Sequence, residues 1–241
     1  MIAAYQIGGQ NSGVFLQCDK PCVVLTAMNW QINLGLIKDS IVFIDEGDSF
    51  VRTREFARAI RESDNFYVIA TRASLFDLPY SVKEVYGIKN TAGNKYQGTK
   101  RLFSEFYPLY ADHSEAIVRP ELVIVEDSNA GFDFFNRLCG QSGIPCISAC
   151  GKSNVYREIA QSCAASILVI ADGAAFGPEL ERVLALNRVR SLGVYLPESF
   201  EWLILQSGLI EDAELSEILE RPSNYIESSR YFSWEQFLRA C

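Results

Sequence analysis

Chemistry-bearing residues recur in one pattern along this chain: each closes a short apolar run. IVFI leads into Asp45-Glu46, YVIA into Thr71-Arg72, LVIV into Glu126-Asp127, and LVIA into Asp172-Gly173. A fifth run, PCISAC, is followed by Gly151-Lys152-Ser153 at the opening of a helical pattern. Carboxylates are hard oxygen donors that suit Mg²⁺. A turn that opens a helix offers backbone N–H groups and a favourable dipole to an anion. Residues of these types point towards phosphate and divalent-metal chemistry. Other chemistries are poorly supplied. His113 is the single histidine and stands in a polar stretch without a neighbouring nucleophile, which argues against a Ser–His–Asp or Cys–His enzyme. Cys146 and Cys150 lack the second ligand pair that a structural zinc site needs.

The elements that must position these residues follow from periodicity. Strands are expected at 14–18, 22–26, 41–45 and 66–71, with helices over 29–37 and about 50–62. Residues 82–110 are rich in Gly, Asn, Lys and aromatics and predict a hairpin with a basic tip at Lys89, Lys95, Lys100 and Arg101. Residues 111–120 predict a linker. A second alternating series then runs strand (LVIVE), helix (130–140), strand (PCIS), helix (153–163), strand (ILVIAD), helix (177–187), strand (LGVYL). Helical patterns fill 197–241. Such alternation predicts α/β architecture with parallel sheets flanked by helices. Ligands of such sheets bind in the crevice at the carboxyl ends of the strands, where the residues above are expected to fall. Two domains are expected, 1–112 and 118–241, the second with its core at 120–196.

Composition sets outer limits. The chain has 241 residues, 49% hydrophobic and 22% charged, which excludes a disordered or collagen-like chain. Its formal net charge of −8 disfavours strong non-specific nucleic-acid binding by the surface as a whole. No apolar run is long enough for a transmembrane helix, and MIAAYQIGGQ lacks the basic start of a signal peptide. Seven cysteines without paired spacing are expected as buried free thiols in a reducing compartment, which places the protein in the cytoplasm.

IVFIDE resembles the Walker B element of P-loop ATPases, and the run ending in Thr71-Arg72 resembles the neighbouring strand whose polar tip senses the γ-phosphate. The resemblance implies that Asp45 holds Mg²⁺, that Glu46 positions the attacking water, and that Thr71 and Arg72 face a nucleotide. No G-x-x-x-x-G-K-[ST] precedes this strand. Either that phosphate loop lies outside this chain, or the scaffold persists without hydrolysis. ATP is expected as a ligand only if the loop is supplied elsewhere. The alternative for Asp45 and Glu46 is that they end a strand and cap a helix.

The order Glu126, then SACGKSN, then ILVIADGAAFG resembles the Toprim domain, and among Toprim proteins the nucleases of the overcoming-lysogenization-defect type, which also join an ATPase to a Toprim domain. The resemblance covers about 120–196. It implies Glu126 as general acid/base, Asp172 as a Mg²⁺ ligand, and Gly151, Lys152 and Ser153 as the phosphate contact. The family's second aspartate would fall at Ala174, and Asp127 stands where glycine is usual. Asp133 and Glu179 are further carboxylates from which ligands could come. Asp127-Ser128-Asn129 can equally be a capping segment. The glycines of ADGAAFG are expected to let backbone approach a ligand.

Two functions follow: a nucleotide- or Mg²⁺-linked phosphoryl-transfer protein of nuclease type, or a non-catalytic binding or regulatory protein on a degenerate ATPase/Toprim scaffold. Expected partners are a nucleotide or nucleic acid, or another protein, and no membrane. Tyr195, Phe200 and Trp202 are expected to pack a helix on the core, with docking of a partner chain as the alternative.

Overall fold

The computed structural model describes residues 20–45, 49–91, 103–110, 119–209 and 213–220, together with Tyr225, Tyr231 and Phe237. The expected strand 14–18, His113 and most of the segments 111–120 and 221–241 lie outside the described residues. The chain is mixed α/β, with parallel sheets flanked by helices and a helical C-terminal part. Its compact units divide between Leu78 and Pro79. The hairpin segment, expected with the first half, therefore groups with the second.

In the first unit, β1 (Cys22–Val24), β2 (Ile41–Ile44) and β3 (Phe66–Ile69) form a parallel sheet with β2 in the middle. Val42, Phe43 and Ile44 are all buried, as a central strand requires. Helix α1 (Trp30–Leu36) buries Trp30 and Leu34, and α2 (Arg54–Arg61) buries Phe56, Ala57 and Ile60. The helix expected from residue 50 is broken in two. A 3₁₀ turn covers Ser49–Arg52, and Thr53 then accepts the Phe56 N–H at 3.2 Å to cap α2. Aromatic rings bind these pieces together. Trp30 stacks on Phe50 at 5.2 Å, Phe56 meets both edge-on, and Tyr67 of β3 packs on Phe56 at 6.5 Å. Burial pushes the Tyr67 phenol up, the Ser63 and Asn65 hydrogen bonds acting against it.

The second unit begins with a 3₁₀ turn, Val82–Glu84, closed by a reciprocal Ser81–Glu84 capping box. The antiparallel hairpin β4 (Tyr86–Thr91) and β5 (Phe103–Pro108) follows, registered Ile88 to Phe106. Then come β6 (Leu122–Val125), α3 (Ala130–Gln141), β7 (Cys146–Ser148), α4 (Lys152–Gln161), β8 (Ser166–Ile170), α5 (Gly177–Ala185) and β9 (Ser191–Tyr195). The four strands pair in the order β7-β6-β8-β9, all parallel. Alternate side chains of β6 serve opposite faces, the period of a pleated strand. Ile124 joins Val169, Val194, Val155 and Ile159 of α4, and Leu180 and Val183 of α5 in one apolar cluster. Val123 and Val125 join Ile170, Phe135 of α3, and Phe200 and Leu203 of α6 (Phe200–Gln206) in the other. Helices thus cover both faces. A final helix, α7, spans Ala213–Glu220.

Trp202 is buried and Phe200 packs against Phe134 and Phe135, as a core helix requires, whereas Tyr195 is exposed. Among the described residues the cysteines depart from expectation: Cys150 and Cys163 are exposed, and Cys22, Cys139 and Cys146 are partly covered. Burial pushes the Cys146 thiol up to about 12, with Cys139 beside it adding to the shift. Among the described residues no helix is long and apolar enough to cross a membrane.

Candidate functional site

Strand order decides where the second sheet can hold a ligand. The chain leaves β6 for β7 on one side, and from β8 it goes to β9 on the other. Connections therefore diverge between the tips of β6 and β8, and a crevice opens at such a switch point. The residues just past these two strands are Glu126 and Asp172. They are joined directly: the Asp172 N–H donates to Glu126 Oε2 at 3.1 Å, across 46 residues of sequence. Parallel pairing carries on into the loops, with the Glu126 N–H on the Ile170 carbonyl at 2.8 Å and the Gly151 N–H on the Glu126 carbonyl at 2.8 Å. The tips of β6, β7 and β8 are thereby tied to one another.

The Gly151-Lys152-Ser153 turn opens α4 beside this crevice. Cys150 has φ +55° and Gly151 φ +116°, two successive residues in left-handed territory, and only glycine takes the second readily. Ser148 supports the bend. Its hydroxyl donates to the Asp127 carbonyl at 2.7 Å and accepts the Cys150 N–H at 3.0 Å. Lys152 reaches across the crevice, and its ammonium donates to the Ala175 carbonyl at 3.0 Å, in the loop that follows Asp172. Ser153 is exposed, and its carbonyl accepts from Arg182 at 3.0 Å.

Several residues serve the scaffold instead. Asp127 caps α3, accepting the Ser128 N–H at 2.7 Å and the Gly131 N–H at 2.9 Å. A side chain at Gly131 would collide with that carboxylate. Gly173 presses on its own chain: a Cβ there would sit 2.9 Å from the Leu196 carbonyl oxygen. The glycine expected to admit a ligand instead admits the backbone after β9, with the Gly173 N–H on the Pro197 carbonyl and the Ala174 N–H on the Glu198 carbonyl at 3.0 Å. Ala174 is fully buried. Asp133 is exposed in the first turn of α3. Glu179 is 2% exposed and ion-paired with Arg182, whose guanidinium lies over the Tyr156 ring at 5.5 Å. Burial pushes the Glu179 carboxyl up, opposed by Arg182 and, more weakly, by Lys152.

Glu198 was not visible as a special residue in the sequence. It is 6% exposed, and it forms an ion pair with Lys83 of the 3₁₀ turn before the hairpin. Glu-Ser before a helix reads simply as a cap, a role that Ser199 does fill by accepting the Trp202 N–H at 3.0 Å. Nothing in the local pattern announces the buried carboxylate beside it.

The first unit brings together a smaller set. Ile44 is registered with Ile69, and the Ala70 N–H donates to the Ile44 carbonyl at 2.9 Å, so Asp45 and Thr71-Arg72 stand at neighbouring tips. All three are exposed. The Thr71 hydroxyl is engaged in a local turn with Ala73, donating to its carbonyl and accepting its N–H, both at 3.1 Å. Glu46 lies outside the described residues.

Among the described residues no three His, Cys, Asp or Glu side chains converge as a metal cage. Glu126 and Asp172, just past the tips of adjacent strands, are the residues that could hold a Mg²⁺ that keeps most of its water. Fold and site together define an α/β protein with Glu126, Lys152 and Asp172 just past the tips of parallel strands, Glu126 and Lys152 each bonded to backbone of the loop after β8. Compared with known proteins, this chain matches no family model, no curated protein and no solved structure.

Proposed function

We propose that the second unit carries out Mg²⁺-linked phosphoryl transfer of nuclease type at the crevice between β6 and β8. The observation that carries this reading is the direct bond from the Asp172 N–H to the Glu126 carboxylate, with Lys152 reaching over the same loops. In this reading Asp172 and Glu126 hold the ion, which when bound would neutralise charge on a phosphodiester. Glu126 takes or gives the proton of the attacking or leaving oxygen. Lys152 and the N–H groups of the Gly151–Ser153 turn receive the phosphate. The Toprim-like order of these residues supports the same assignment. Mg²⁺- or Mn²⁺-dependent cleavage of DNA or RNA, abolished in Glu126→Gln, is the expected result. Absence of cleavage by the wild-type chain across single- and double-stranded substrates would overturn it.

A second reading is a binding protein on a degenerate ATPase/Toprim scaffold. The buried Ala174, where a second metal-binding aspartate would stand, favours it. On this reading the tips of the first unit, Asp45, Thr71 and Arg72, take a nucleotide only when a phosphate loop is supplied from elsewhere. A thermal-shift series with ATP, ADP, Mg²⁺ and Mn²⁺ separates the two, because a ligand preferring the native state raises its stability. A cytoplasmic location belongs to both readings.

A further inference from the structure

Two thiols of the second unit lie side by side, away from the crevice. Helix α3 turns Phe132, Phe135 and Cys139 inwards, at the i, i+3, i+7 spacing of one helix face, and all three belong to the cluster that holds Val123, Val125 and Ile170. Strand β7 presents alternate residues to opposite faces of the sheet. Cys146, registered with Val123, joins the α3 face, while Ile147 joins the other cluster. Burial pushes the Cys146 thiol up, and the adjoining Cys139 side chain, in hydrogen-bonding contact with it, adds to the shift.

The turn between them fixes this placement. The Ile144 N–H donates to the Cys139 carbonyl at 3.0 Å and the Gly143 N–H to the Gly140 carbonyl at 3.1 Å, with Gly143 at φ +66°. These two bonds make a Schellman closure, with glycine at its left-handed position. The apolar contact that accompanies such a closure falls here to Ile144 and Cys139, which pack in one cluster. Cys146 stands two residues beyond Ile144 in an extended chain, so it faces the same side. Residues 140–143 and Pro145 are exposed and both cysteines are only partly covered, which leaves the pair within reach of a small solute.

A covered cysteine can serve simply as a small apolar side chain. Two adjoining thiols, joined by a closed six-residue turn, are also placed for a bond that neither makes alone. The pair lies at the first residue of β7, the end opposite the strand tips, so it is separate from the phosphoryl-transfer reading.

We propose that Cys139 and Cys146 form a reversible disulfide site, reduced at rest and closed by exchange with a small-molecule disulfide of the glutathione type. The Cys139 thiolate attacks one sulfur of the small disulfide, forming a mixed disulfide and releasing one small thiolate, which takes up the proton that Cys139 gave up. The Cys146 sulfur then attacks Cys139, and its proton leaves with the second small thiolate. The two cysteines are oxidised by two electrons together, and the small disulfide is reduced to two thiols. Burial keeps Cys146 protonated, so Cys139 attacks first and Cys146 closes the bond.

Non-reducing peptide mapping of the full chain tests this, after treatment with oxidised glutathione and then iodoacetamide. Cys150 shares the tryptic peptide 138–152 with the pair, so Cys150→Ser serves as the reference protein. Its peptide should lose two hydrogens and take no alkyl group at either cysteine, and dithiothreitol should restore both alkylation sites. Adding Cys146→Ser should leave a stable glutathione adduct on Cys139, whereas adding Cys139→Ser should leave Cys146 without one. Oxidation should raise the melting temperature of the reference protein but not of the Cys139→Ser variant, because a cross-link restricts the unfolded chain. Alkylation of both cysteines after oxidation, a bond from either to a different cysteine, or a bond formed only in denaturant would overturn the proposal. So would a fall in melting temperature on oxidation, since the native fold would then not hold the pair in bonding geometry.

Discussion

The two units end their parallel strands in different ways. At the first unit's tips, Asp45, Thr71 and Arg72 are exposed, and Thr71 bonds within its own turn. At the second unit's tips, loops from three strands are bonded to each other through Glu126, Gly151, Asp172 and Ser148. An exposed acid is easily solvated and holds an ion weakly. The Glu126 carboxylate, held by the Asp172 N–H, keeps its geometry before any ligand arrives, which is what selective binding requires. The units also store their stability differently. The first relies on an aromatic knot under one face of three strands. The second distributes its core over both faces of four strands.

The largest expected effect lies at the aromatic knot of the first unit. Phe56 is fully buried and touches Trp30, Phe50 and Tyr67, so Phe56→Ala should cost about 3–5 kcal/mol in the first unit. Proteolysis and hydrogen exchange would show whether the second unit remains protected; simultaneous loss of both would contradict separate stabilities. Gly173→Ala should cost about 1–3 kcal/mol, because the new methyl meets the Leu196 carbonyl. An unchanged melting temperature would show that the loop yields freely.

Cap removal should cost about 1 kcal/mol in either unit. Thr53→Ala frees the Phe56 N–H, and Asp127→Ala frees the Ser128 and Gly131 N–H groups. Because the Asp127 carboxylate holds the loop directly after Glu126, the proposed metal site predicts that only the second variant should in addition weaken Mn²⁺ binding by calorimetry. Glu179 gives a pH test with a definite sign. Its pKa is raised on folding by burial, so the native state holds the proton more tightly than the unfolded chain. That stabilisation is complete below the unfolded pKa and is lost as pH rises through the folded one. Melting temperatures taken from about pH 4 to about pH 8 should therefore fall more steeply for wild type than for Glu179→Gln. Parallel curves would refute the assignment. The smallest effect belongs to Asp45→Asn, within about 0.5 kcal/mol of wild-type stability, as expected for an exposed tip.

Much of the local structure is legible in the residues. IVFI, LVIV and SILVI are short, β-branched and uninterrupted, and they form the buried strands β2, β6 and β8. The acids after them stand at strand tips because a charge cannot follow such a run into the core. Boundaries were less legible. The helix expected over 50–62 starts only at Arg54, since the Thr53 hydroxyl competes for backbone N–H groups in a way that hydrophobic periodicity does not register. Gly173 is only partly legible for a related reason: a glycine signals close approach without saying what approaches, and here the backbone after β9 does.

What the amino-acid order determined by itself is the alternation of strands and helices, the parallel class of the sheets, and the placing of polar residues where strands end. Those depend on side-chain periodicity, which neighbouring residues share. Which strands lie side by side was decided only by tertiary structure. A strand buried on both faces is equally apolar whichever neighbours it has. Pairing β6 with β8 as well as β7 is what sets Asp172 against Glu126, and folding the chain after β9 under that loop is what buries Glu198.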